Sequence, residues 1–462
     1  MVAMCIWIEP CYPQNNLNIP TDMTNKNTAP LVQKSILVPF ILITSLFALW
    51  GFANDITNPM VSAFKKVLEL DNFQASLVQL AFYGGYFTMA LPAAVFVNRY
   101  SYKKGILMGL ALYAIGALLF YPAAAYEEFG FFLAALYILT FGLAFLETTA
   151  NPYILSMGSE ETATRRLNLA QAFNPIGALL GLLVAQKFIL AALQSDDVLP
   201  NGEPVYSTLT ETAKDMVRTS DLAVIRNPYV ILGLVVITFL VIIALMKMPH
   251  NEEQEGKVVI GHSIKRLFKS KKFVGGVVAQ AFYVGAQIMC WTYLYQYAES
   301  FGIDNATAVN YGIGALVIFL SGRWVGTALL RSISPGKLLF FFALGASLCT
   351  MVTIFVPGMI GLYALVGISF FMSIMFPTIY GIALEGQGDD SKFGAAFLVM
   401  AIVGGALMPT LQGLILDLGG IGYTDITIMG VPEVNFSFVL PLVCFVLVAI
   451  YARNVYSKYN IK

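Results

Sequence analysis

FGFFLAALYILTFGLAFLETTANPYIL, residues 129–155, is an apolar run carrying one charge, Glu147. A helix rises about 1.5 Å per residue, so a run of this length exceeds the ~20 apolar residues that cross a bilayer. Glu147 is the anomaly in it. A carboxylate at bilayer depth costs roughly 2.5–3.5 kcal/mol on insertion scales, and such residues face a bundle interior or an aqueous cavity. No Lys or Arg elsewhere in the run offers it an ion pair. A proton or substrate pathway is the first reading, and a structural or shallow carboxylate is the alternative.

Eleven similar runs flank this one, near residues 36–62, 74–98, 105–125, 166–192, 228–248, 273–298, 308–331, 337–356, 359–385, 393–416 and 435–456. The sequence predicts an all-α membrane protein of about twelve helices. Composition agrees, with 58% hydrophobic and 12% charged residues against a soluble norm of roughly one half and one quarter. A water-soluble domain is excluded, and a formal net charge of zero points away from nucleic acid.

Of the 27 Lys and Arg, all but Lys65, Lys66, Lys187, Lys214, Arg218 and Arg226 fall on one side of the predicted spans. Basic residues mark cytoplasmic loops, so both termini are expected in the cytoplasm of a bacterial inner membrane. The expected organisation is a cytoplasmic tail over 1–34, a six-helix half over 35–248, a central cytoplasmic loop over 249–272, a second half over 273–456 and a tail over 457–462. The Ser-Ile-Lys-Arg-Leu-Phe-Lys run of the central loop reads as a basic amphipathic helix on anionic headgroups. Residues 1–30 carry Asn, Thr and Pro where a secretory signal has a basic segment and an apolar core, so none is expected, and Met23 is a candidate start. The five cysteines are scattered without metal-ligand spacing and read as packing residues.

A weak repeat relates the halves. Asn151-Pro152-Tyr153-Ile154 is echoed by Phe376-Pro377-Thr378-Ile379, and Arg99 with Lys103-Lys104 by Arg331 and Lys337. Two homologous halves around a midplane site is transporter architecture.

Asp55, near the end of the first run, is with Glu147 one of the two acids farthest from the loops. Desolvation raises a carboxyl pKa, so such groups can load and release a proton near physiological pH. When charged, they accept strong hydrogen bonds from hydroxyls, which links proton and substrate at one residue. Around them stand amides, Asn54, Asn58, Gln79, Asn151, Asn168, Gln171, Asn174, Gln280 and Gln287, each offering donor and acceptor as a sugar hydroxyl does. Interhelical glue is the competing role. Asn168, Gln171 and Asn174 are spaced three apart and are expected on one helix face. Among the aromatics Tyr83, Tyr86, Tyr283, Trp291, Tyr293 and Tyr380, Trp291 is the candidate to stack on a pyranose, because Gln287 lies four residues before it. Arg323, inside the eighth run, is expected to lock a gate rather than bind a neutral substrate.

Three stretches carry a family resemblance: Phe145-Leu-Glu147-Thr-Thr-Ala-Asn151-Pro152, Arg166-Leu-Asn168-Leu-Ala-Gln171-Ala-Phe-Asn174 and Ala281-Phe-Tyr-Val-Gly-Ala-Gln287-Ile-Met-Cys-Trp291. They resemble the L-fucose:proton symporter family of the major facilitator superfamily, over nearly all twelve helices. The resemblance implies proton coupling by Asp55 and Glu147 and sugar ligands at Asn168 and Gln171. The general facilitator loop pattern is met only at Arg99, Lys103 and Lys104, while Ala94, Asn98 and Ser101 depart from it. The wider family includes glucose, galactose and N-acetylhexosamine carriers, so a neutral hexose is implied, with L-fucose the first reading. The candidate set is thus Asp55 and Glu147 for the proton; Asn54, Asn58, Gln79, Tyr83, Asn151, Asn168, Gln171, Gln287 and Trp291 for the sugar; and Arg99 and Arg323 for gating. Met375-Phe376, before Pro377, is the candidate for specificity.

The expected partners are a sugar, a proton and the lipid bilayer, with no cofactor, no metal and no nucleic acid, and a monomer is expected. An uncoupled facilitator and a sensor on a transporter fold remain alternatives. An intramembrane enzyme is disfavoured, because His250 and His262 both fall in the central loop.

Overall fold

The computed structural model describes residues 31–57, 64, 67–70, 72–196, 205–248, 259–303, 305–416, 418 and 426–458. Among them are twelve helices long and apolar enough to cross a membrane: Lys34–Thr57, Leu80–Arg99, Tyr102–Tyr126, Phe129–Ser156, Glu160–Ile189, Glu211–Leu245, Lys271–Glu299, Thr307–Leu329, Pro335–Phe355, Met359–Leu384, Gly388–Leu416 and Glu433–Ser457. These are the first to twelfth spans below. The sixth starts well before the expected residue 228. A hydropathy reading stops at the charges of Glu211–Arg226, whereas the helix continues through them, held by Lys214–Glu211 at 3.6 Å and Arg218–Asp215 at 3.4 Å, both three residues apart. The basic amphipathic helix predicted in the central loop is present as Ile260–Lys269. Asn58, His250, Cys5, Cys11 and Met23 lie outside the described residues, as does the side chain of Gln79.

The first six spans pack among themselves, chiefly third on fourth, first on fifth and second on fourth; the last six do likewise, ninth on twelfth and tenth, seventh on twelfth and eleventh. The first and fifth spans meet almost backbone to backbone. A Cβ on Gly177 would collide with the Ala48 carbonyl, and one on Gly51 with the Asn174 carbonyl. Small residues at such crossings let dispersion contacts accumulate where lipid removes any hydrophobic drive between helices. The halves meet along the second and eleventh spans, the fourth and eleventh, and the fifth with the eighth and tenth. Cys290, Cys349 and Cys444 are free thiols within this packing.

The fifth and tenth spans each break near their middle. The fifth runs as Ala163–Gln171, turns at Ala172 and Phe173, and resumes as Asn174–Val184. The tenth runs as Met359–Met372 and resumes as Met375–Leu384. Each break precedes a proline, Pro175 or Pro377. A proline has no N–H for the carbonyl four residues back, so the carbonyls of Gln171 and Ser373 lose their helical donor. An unpaired carbonyl in hydrocarbon is expensive, and another donor must reach it.

Candidate functional site

Arg323 of the eighth span is that donor for both. Its Nη1 donates to the Gln171 carbonyl at 3.0 Å, and its Nε donates to the Ser373 carbonyl. The rigid guanidinium fork suits this double duty. It binds the broken fifth span of one half to the broken tenth span of the other. Nη1 also approaches Gln171 Oε1 at 3.5 Å, and the guanidinium lies 4.8 Å over the Phe319 ring. Arg323, expected from the sequence to lock a gate, has as its partners here the carbonyls freed at the two breaks.

Directly beside this tie lies a cavity of about 170 Å³ between the halves. The first half lines it with Asn54, Asp55, Tyr83, Glu147, Gln171 and Asn174; the second half lines it with Gln287, Trp291, Phe319, Arg323 and Phe376. Glu147 is 7% exposed, and its Oε2 has no hydrogen-bond partner in the protein. The phenols of Tyr86 and Tyr380 lie within electrostatic reach of Glu147, and those of Tyr83 and Tyr295 within reach of Asp55. Tyr83 and Tyr86 both pack against Phe82, so the aromatic surroundings of the two acids adjoin along one wall.

The amides fall into two sets. Gln171 Nε2 donates to Asn151 Oδ1 at 2.9 Å, and Asn151 Nδ2 donates to the Glu147 carbonyl at 3.0 Å. Asn151 thus stands behind the wall and fixes which way the Gln171 amide points. Asn174 donates to the Phe47 carbonyl at 3.3 Å and also lines the cavity. Gln287 and Trp291 do lie together on the wall, and the indole Nε1 donates to Ser369 Oγ at 3.2 Å. Trp291 packs edge-on against Phe319, with centroids 5.1 Å apart.

The expectation for Asn168 is not met in this conformation. Asn168 and Gln171 sit three apart on the continuous helix Ala163–Gln171, and the turn at Ala172 and Phe173 follows both; Asn168 lies one turn nearer the basic end, below the cavity wall that Gln171 and Asn174 reach. Asn168 is fully buried, and its Nδ2 donates to the Thr164 carbonyl at 2.9 Å and to Thr378 Oγ1 of the tenth span at 3.2 Å. It is bound up in the contact between the halves, off the cavity wall. Arg99 is exposed, 5.7 Å from the Tyr100 ring of its own loop. At that end the halves are joined instead by Lys392, whose ammonium lies 5.7 Å over the Tyr102 ring, and by Thr164 packed on Gly381.

The cavity is closed at the end bearing the Arg99 and Lys103 loop and continues at the other into a vestibule of about 790 Å³. Asp55, Tyr83, Ile288, Trp291 and Leu316 belong to both spaces. Sequence reasoning missed Trp50, Phe82 and Phe319, apolar members of the wall that nothing in the sequence separates from ordinary packing.

Twelve spans in two halves, interlocked at one end and parted at the other around a polar, mid-membrane cavity with its own carboxylates, define a secondary transport protein. The chain belongs to the major facilitator superfamily, whose family pattern matches residues 41–409. It is 57% identical over 424 residues to the L-fucose-proton symporter of Haemophilus influenzae, covering 92% of this chain and 97% of that one. It is 32% identical to the glucose/galactose transporter of Brucella abortus, covering 94% and 98%. A crystal structure of the major facilitator transporter FucP in the outward conformation superposes with a TM-score of 0.81 at 35% identity, covering 91% of this chain and 99% of that one.

Proposed function

We propose that this protein imports L-fucose together with a proton by alternating access. The observation that carries the reading is Glu147: a carboxylate buried in the cavity wall, one oxygen unpartnered, with Gln171 oriented beside it through Asn151. The family relation supports it, since identity to the H. influenzae fucose symporter is 57% against 32% to the glucose/galactose transporter. Glu147 and Asp55 carry the proton. Asn54, Gln171, Asn174 and Gln287 meet the sugar hydroxyls, and Trp291 and Tyr83 cover its apolar face. Asn151 acts through Gln171, and Arg323 and Asn168 hold the closed end.

The asymmetry of basic residues supports a cytoplasmic position for that closed end and both termini, with the vestibule outside. The conformation is therefore the one that loads sugar. The sugar passes through chemically unchanged, and the chain works as a monomer in the inner membrane.

A competition panel tests the substrate. Purified protein in proteoliposomes, loaded with labelled L-fucose, should lose label to excess unlabelled L-fucose far more readily than to D-glucose, D-galactose or N-acetylglucosamine. Equal or stronger competition by glucose or galactose would move the substrate to the alternative hexoses and leave the transport reading standing.

A further inference from the structure

On the opposite side of the second half from the transport cavity, a cleft of about 320 Å³ lies between the seventh and twelfth spans at the basic end. Its upper rim is polar, formed by Lys271, Lys272 and Asn454, and its floor is apolar, formed by Gly275, Val278 and Ile450. Lys272 is bound to Glu385 at 3.1 Å, whereas Lys271 is exposed and enters no ion pair among the described residues. Val278 and Ile450 are about half exposed and look outward from the bundle. Gly275 makes the room: a Cβ there would sit 3.1 Å from the Tyr451 ring.

The adjoining helix Ile260–Lys269 supports a headgroup level for this rim. It exposes Ile260 and Phe268 beside Lys265 and Lys269, the pattern of a helix lying at the boundary of headgroups and acyl chains. From Lys271 to Val278 the span descends roughly 10 Å, at about 1.5 Å per residue. One side of the cleft is thus at phosphate depth and the other at acyl-chain depth.

We infer that this cleft is a specific site for one anionic phospholipid, its phosphate on Lys271 and one acyl chain between Val278 and Ile450. Basic pockets between spans on the cytoplasmic side hold anionic headgroups by this combination of charge and apolar wall. A free phosphate would use the rim alone. The inference rests on the membrane-spanning reading and is independent of which sugar or ion is carried.

The test is native mass spectrometry of the intact protein in detergent, titrated with phosphatidylglycerol or phosphatidylcholine, for the wild type, Lys271→Gln and Val278→Trp. Wild type should retain one phosphatidylglycerol in preference to phosphatidylcholine. Lys271→Gln should weaken that retention about fivefold, the worth of one basic residue at an anionic surface. Val278→Trp, which fills the floor and keeps the charge, should abolish it. Sugar counterflow by both variants checks that they fold, since neither residue touches the transport cavity. Two results would overturn the inference: retention by both folded variants equal to wild type, or displacement of the lipid by millimolar inorganic phosphate.

Discussion

Glu147 and Gln171 are linked through Asn151: the acid offers an unpartnered oxygen, and the amide of the next span is held by the asparagine one turn along from the acid. Replacing Glu147 by Gln keeps the shape and removes the exchangeable proton. Glu147→Gln and Asp55→Asn are each expected to abolish uphill accumulation of sugar, measured as uptake against a concentration gradient in proteoliposomes. If both variants still concentrate sugar under a pH gradient alone, the acids do not couple the proton. The amides separate into ligand and tie. Gln171→Ala should weaken sugar affinity by about 1–3 kcal/mol, the cost of stranding a buried partner, whereas Asn168→Ala should leave affinity within about 0.5 kcal/mol. Calorimetric titration with L-fucose distinguishes them, and equal losses would return Asn168 to the site.

Helices show where the sequence was readable and where it was not. Length and hydropathy marked all twelve spans, because nothing but a helix satisfies its own backbone in hydrocarbon. They missed the extension Glu211–Arg226, which leaves the apolar register while staying helical. They also misplaced Asn168: three-residue spacing puts it on the helix face of Gln171 but one turn nearer the basic end, where the fifth span is packed on the tenth, and spacing carries no sign of how deep the cavity reaches. Its partner, Arg323, could be read as a tie but not assigned, since its acceptors are carbonyls freed by prolines in two other spans. This account makes a rescue prediction. Arg323→Met strands the Gln171 and Ser373 carbonyls and should destabilise the protein by about 1–3 kcal/mol in thermal unfolding. Adding Pro175→Ala returns an N–H four residues from Gln171 and should recover part of that loss. A double variant no better than the single would show that the freed carbonyls are not what Arg323 satisfies.

Between elements, the closed end depends on close packing of the fifth span on the tenth. A Cβ on Gly381 would lie 2.6 Å from Thr164 Oγ1. Overpacking costs about 1–3 kcal/mol, a factor of about 5 to 150 in a conformational equilibrium. Gly381→Leu should therefore open the basic end, and an Asn168→Cys reporter should react faster with a maleimide added from that side by a comparable factor. Unchanged labelling would mean that this contact does not hold the end closed.

For the whole molecule, the cavity in this conformation continues into a vestibule at one end and is packed shut at the basic end, the arrangement expected of one state of an alternating-access carrier. If the protonated carrier is the form that loads, uptake rises as external pH falls, and sodium is irrelevant. Both cavity acids and the two-half plan could be read in the sequence; the choice of proton over sodium came from the family resemblance, because buried carboxylates and amides also suit a cation with oxygen ligands. The most direct measurement is accumulation of labelled L-fucose by sealed proteoliposomes under an imposed inward proton gradient without sodium. The account predicts accumulation above equilibrium that a protonophore collapses and that Glu147→Gln lacks. Accumulation driven by a sodium gradient at constant pH, and indifferent to the protonophore, would contradict it.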